Sequence, residues 1–136
     1  ADLSLARAQD LLAEDDLEAA QALLDNLPEP MPPRLGGPRA VLSAEVPRRQ
    51  GRTEEAVAIL LARLDEAPTD GLVLEHLLGL HGETGLPARE VVRNRLIDAA
   101  VEGRGNTESW ARARLMELME AERAAAEAPT DDEASD

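Results

Sequence analysis

The chain has 136 residues, with 14 Arg and no Lys set against 28 Asp and Glu, for a net charge of −14. It has no Cys, Phe or Tyr, and Trp110 is its single aromatic residue. These figures exclude disulfides, thiolate nucleophiles and zinc–thiolate sites. They disfavour a β-sandwich or barrel, which draws on aromatic and β-branched residues, and they make phosphate backbones and anionic membranes poor partners.

Ala, Leu, Glu and Arg, all good helix formers, dominate what remains, so an all-α domain is expected. The charge is uneven. Residues 1–33 and 115–136 each carry a net −7, while residues 34–114 balance twelve acids with twelve Arg. Arg without Lys is expected of GC-rich coding, a bacterial-like composition.

The first helix is expected to start at Asp2 or Ser4, with Leu5, Ala8, Leu11 and Leu12 recurring at helical spacing on one face. Asp15 and Asp16 break it and open a second helix bearing Leu17, Ala20, Leu23, Leu24 and Leu27. Prolines between Pro28 and Pro33 stop that helix, because proline lacks the amide donor. Gly36-Gly37 reads as a flexible joint. Pro38 then opens a third helix, with Val41, Leu42 and Val46 inward and Pro47 expected to kink or fray its last turn.

Gly51 ends that helix, and Thr53 is the expected cap of a fourth, whose stripe is Ala56, Val57, Leu60, Leu61 and Leu64. Pro68 closes it. Thr69 or Asp70 starts a fifth helix with Val73, Leu74, Leu77, Leu78 and Leu80, closed by Gly82 and Gly85. Pro87 opens a sixth with Val91, Val92, Leu96, Ile97 and Ala100 inside, ending near Gly103. Asn106 or Thr107 caps a seventh helix containing Trp110, Ala113, Leu115, Met116, Leu118 and Met119. Residues 128–136, small and acidic, are expected to be a disordered tail.

The turns inside successive pairs fall at Asp15, Gly51 and Gly85, at intervals of 36 and 34 residues. A period near 34 with two helices per unit resembles the tetratricopeptide repeat. Gly51 to Asp70, GRTEEAVAILLARLDEAPTD, is similar to the second half of such a unit, with Gly in the turn, small Ala56 at the helix contact, Leu60 one turn on, and a closing Pro68. Asp15 to Pro28 repeats the pattern with Ala20 in the place of Ala56. In Gly85 to Gly103 the small residue is replaced by Glu90, so that contact is expected to shift. The first helices of the units lack the family's bulky aromatic.

The resemblance implies a right-handed helical-repeat stack over residues 1–127. It would hold about three antiparallel helix pairs, in units near 1–34, 35–70 and 71–104, with a C-terminal capping helix over 106–127. It implies a non-catalytic module that binds a partner peptide or helix on a concave face lined by the first helices. Leu5, Gln9, Leu12, Val41, Glu45, Arg48 and Glu75 fall on that face; the alternative for Leu5, Leu12 and Val41 is the core. Some family members grip a C-terminal carboxylate with paired cations. The corresponding neighbourhood here, Leu5, Gln9, Leu42, Leu72 and His76, lacks them.

No catalytic, cofactor or metal site is expected. His76 and His81 are five residues apart and so point about 140° apart on one helix, and the HExxH spacing is absent. Ser43 and Ser109 have no evident base. Acid pairs at helix starts are explained by capping and the helix dipole. The second functional reading is a structural or assembly subunit, acting by self-association through a Trp110–Met119 stripe or as the repeat domain of a larger complex. No apolar run reaches the ~18–20 residues of a membrane span. The chain begins at Ala1 without Met, which fits a processed form or an excised piece. A cytoplasmic location is expected, or a periplasmic one if Ala1 follows a removed signal peptide.

Overall fold

The computed structural model describes residues 2–27, 29 and 31–127. They form seven helices: α1 (Asp2–Ala13), α2 (Leu17–Asp25), α3 (Gly36–Arg49), α4 (Thr53–Glu66), α5 (Gly71–Thr84), α6 (Arg89–Glu102) and α7 (Asn106–Glu127). No strand occurs among the described residues. The protein is an all-α stack in which neighbouring helices pack on one another, α1 on α2, α3 on α4, and α6 on α7 most closely. The expected acidic tail at 128–136 lies outside the described residues, as do Pro28 and Pro30.

Two of the three expected turns, at Gly51 and Asp15, share one geometry, while at Gly85 (φ +79°) the amide bonds the His81 carbonyl instead. At the end of α3, Gly51 sits at φ +78°. Its amide donates to the Arg48 carbonyl, and the Arg52 amide reaches back to Pro47. That pair of bonds is a Schellman cap, which satisfies carbonyls left orphaned at a helix end. The end of α1 repeats it, with Asp15 N–H on Leu12 and Asp16 N–H on Leu11. Here Asp15 holds the left-handed position at φ 61°, where glycine is usual. Asp16 then caps α2, its Oδ1 accepting from the Ala19 amide at 3.2 Å.

Two apolar clusters hold most of the core among the described residues. Leu5, Ala8, Leu11, Leu12, Ala20, Leu24 and Leu27 pack with Leu35 and Val46. The larger cluster joins Ala40 and Ala44 to Ala56, Leu60 and Leu64 of α4, Val73, Leu74 and Leu77 of α5, and Ala99 and Ala111 of α6 and α7. α3 therefore contributes to both. Each buried Leu is worth about 1.5–3 kcal/mol against exposure, which is why such stripes, and not propensity alone, fix the helices.

Several expectations are corrected. Gly36 and Gly37 are the first turn of α3 and form no joint; a short 3₁₀ turn at Pro33–Leu35 precedes them. They are small because Arg63 and Asp70 lie against them: a Cβ on Gly37 would stand 2.5 Å from Asp70 Oδ2. Arg63 Nε is 3.0 Å from the same carboxylate oxygen, whose other oxygen accepts the Val73 amide at 3.3 Å and caps α5. Thr53 is the first residue of α4, after Arg52, and provides no side-chain cap. Pro47 is buried within α3, which continues to Arg49. Leu27 lies past the end of α2 yet is buried.

The last third departs most. α6 packs closely on α7 and only lightly on α5, in keeping with exposed Glu90 at the position where a small contact residue was expected. Its buried face is Val92, Leu96 and Ala99, while Ile97 is exposed. Met116 and Met119 of α7 are exposed as well, and Ala111 is the buried residue of that helix.

Candidate functional site

α3 carries Val41, Ala44, Glu45 and Arg48 at spacings of three, four and seven, so they share one face. α5 presents His76, Gly79, Leu80 and Glu83 in the same rhythm. These faces flank a cleft of about 510 Å³ whose remaining lining is Ala56 and Leu60 of α4. Its wall is apolar at Val41, Ala44, Leu60 and Leu80 and charged at Glu45, Arg48 and Glu83.

The charged side is ordered by a chain of ion pairs. Arg48 Nη2 lies 3.0 and 2.9 Å from the two carboxylate oxygens of Glu83. Its Nη1 donates to Glu45 Oε1 at 2.9 Å. Glu45 Oε1 also accepts from Arg49 Nε at 3.0 Å. The far end of Arg49 donates to the Leu12 carbonyl at 2.5 Å, where a cation suits the C-terminus of α1. The Glu83 hydrogen bonds, and then the charge of Glu45, hold the Arg48 guanidinium above its ordinary pKa.

On the other side of α5 a second cleft, about 480 Å³, is lined by Glu75, Leu78 and Gly79 of α5 and by Trp110, Arg114, Glu117, Leu118 and Ala121 of α7. Gly79 lines both clefts, and a Cβ there would meet nothing within 4 Å. A smaller hollow of about 260 Å³ continues past Glu75 and Trp110 to Gly71, Asn106 and Thr107. α3 and α5 thus flank the first cleft and α5 and α7 the second, with bare Gly79 bordering both.

The sequence-expected residues separate into three groups. Val41, Glu45 and Arg48 line the first cleft together, and Glu75 lines the second. Gln9 is exposed on α1 and lines neither. Leu5 and Leu12 are only 7% and 3% exposed and belong to the core of the first pair, so they leave the site. The residues missed are Gly79, Glu83 and Trp110. The 35-residue offset of Glu83 from Arg48, one repeat, was the available signal for the second of these.

The histidines play local roles. His76 Nδ1 bonds the Leu72 carbonyl at 2.9 Å, and His81 Nδ1 donates to the Pro87 carbonyl at 2.7 Å. Among the described residues no three His, Cys, Asp or Glu side chains are grouped so as to hold a metal ion. No helix among them is long and apolar enough to cross a membrane. No protein-family model, curated protein or solved structure matches the chain.

Proposed function

We propose that the chain is a tetratricopeptide-like interaction module that binds a peptide or helix of another protein in the trough lined by α3, α5 and α7, without catalysing a reaction. The observation that carries this reading is the sharing of Gly79 by two clefts whose walls mix apolar floors with ordered charges. Such a lining suits an extended segment or an amphipathic helix, with apolar anchors in the floor and polar contacts at the rim. The repeat of the Schellman turn at Asp15 and Gly51 supports the family resemblance.

Gly79 supplies the test. Its substitution by Gln places a side chain between the two clefts, and the new Cβ has open space around it. Peptides are selected from a displayed random library on the immobilised protein and then re-tested on Gly79→Gln. Enriched peptides that lose binding to the variant support the trough. Failure to enrich any peptide, or peptides indifferent to Gly79→Gln, overturns it.

The second reading, self-association, draws on a different observation. Ile97 and Val101 of α6 and Met116 and Met119 of α7 are large apolar side chains exposed by 39%, 73%, 62% and 49%. Apolar surface of this kind marks interfaces when it is contiguous. Sedimentation at several salt concentrations decides it: a dimer that Met116→Glu dissociates supports an assembly role, and a monomer throughout sinks it.

A further inference from the structure

The trough has one end unlike the rest. Trp110, the single aromatic of the chain, lines both the α5–α7 cleft and the hollow beside it, and Glu75 lines the same two spaces. The indole is half-buried against the core. Glu75 is exposed and makes no hydrogen bond or ion pair among the described residues. Arg48 is matched by Glu45 and Glu83, and Arg114 Nη1 by Glu117 at 3.1 Å, while the buried Arg114 Nε has no hydrogen-bond partner among the described residues.

Resting on the trough reading, we propose that Trp110 and Glu75 form the anchor for a cationic side chain, Arg or Lys, of the partner segment. An indole face attracts a cation through its quadrupole, more strongly than the rings of Tyr or Phe. A free carboxylate beside it supplies the opposite charge. The trough as a whole holds Glu45, Glu75, Glu83 and Glu117 against Arg48 and Arg114, and the chain carries −14, so a basic segment is drawn toward it. The positive ends of α5 and α7 lie near the hollow, but that field fades within the first turn. Glu75 and Trp110 both stand beyond the first turns, which begin at Gly71 and Asn106. Asp70 already answers the N-terminus of α5.

Trp110 is also its own reporter, since all indole emission comes from this one position. The probes are two blocked pentapeptides, Ac-Ala-Leu-Arg-Leu-Ala-NH2 and the same peptide with citrulline, the neutral isostere, in place of Arg. Saturable change of Trp110 emission by the Arg peptide is expected, with the citrulline peptide about five-fold weaker. Glu75→Gln, an exposed change, is expected to weaken the Arg peptide about three-fold and leave the citrulline peptide unchanged. Added salt weakens the first peptide alone. Equal binding of the two peptides overturns the anchor and leaves the trough reading standing, as does indifference to Glu75→Gln. Emission unmoved by either peptide also overturns it, whereas the trough itself is judged by the Gly79→Gln selection.

Discussion

Arg48 and Glu83 are separated by 35 residues of chain, one repeat, and meet through a forked ion pair across the α3–α5 cleft. Both side chains are part-exposed, at 38% and 55%. Water therefore screens the attraction, and a double-mutant cycle of Arg48→Ala and Glu83→Ala is expected to return a coupling of about 0.5 kcal/mol. Urea denaturation at low and high salt checks it. A coupling that is unchanged in high salt contradicts the screened geometry.

Gly36 and Gly37 are adjacent but should respond differently to Ala. On Gly36 the new methyl meets the guanidinium end of Arg63, which gives way only by loosening its pair with Asp70. The recovered helix propensity offsets part of that loss, so a cost of about 1 kcal/mol is expected. On Gly37 it meets the Asp70 carboxylate, which is held by Arg63 and by the Val73 amide. That group cannot yield without uncapping α5, so a loss of about 2 kcal/mol is expected. Thermal unfolding of the two single variants separates these outcomes, and similar melting temperatures would refute the contact.

The two left-handed turn positions make an opposed pair. Gly51→Ala puts a side chain where φ is +78° and is expected to cost about 1 kcal/mol. Asp15→Gly relieves the strain of φ 61° and is expected to gain about 0.5 kcal/mol, less than the full relief because glycine loosens the unfolded chain. Equilibrium denaturation midpoints should move in opposite directions.

Glu29 gives the pH prediction. Its Oε1 lies 2.7 Å from Arg39 Nη1. That hydrogen bond, then the Arg39 charge, holds the Glu29 carboxyl below its ordinary value of 4.5. A depressed carboxylate favours the folded state above its unfolded pKa and loses that contribution as pH falls through the folded pKa. The contact is thus intact at neutral pH and fades only below pH 4.5. Carboxyl-carbon titration by NMR should place Glu29 below 4.5 in the parent and return it to that value in Arg39→Gln.

Helix number, order and most inward stripes were legible because Leu and Ala recur at helical spacing between Gly and Pro punctuation. Three features were hidden. Gly36-Gly37 reads as slack unless Asp70, more than thirty residues on, is known to press on it. Along α6, Val91, Val92, Leu96, Ile97, Ala100 and Val101 leave no single apolar face, so only packing on α7 decides that Ile97 is outside. For the proposed trough, the repeat selected α3 and α5, and four of its residues, Val41, Glu45, Arg48 and Glu75, line clefts. On α1 the same rule selected Leu5 and Leu12, which the pairing of α1 with α2 buries. Trp110 entered the trough because α7 lies beside α5, a relation no local spacing encodes.

α3 lends one side to each apolar cluster, Val46 falling with the first, beside Leu35 of the preceding 3₁₀ turn, and Ala40 and Ala44 with the second. The first pair of helices, whose apolar contacts lie in a cluster of its own, is therefore expected to open as a unit before the rest of the stack. Amide exchange should divide accordingly, with residues 3–27 opening at a lower free energy than α4 and α5. When that pair lifts, the Leu35–Val46 strip it uncovers matches the α1–α2 unit of any second copy. Concentrated solutions should accordingly exchange these units between molecules, a swapped dimer formed from contacts the monomer already contains.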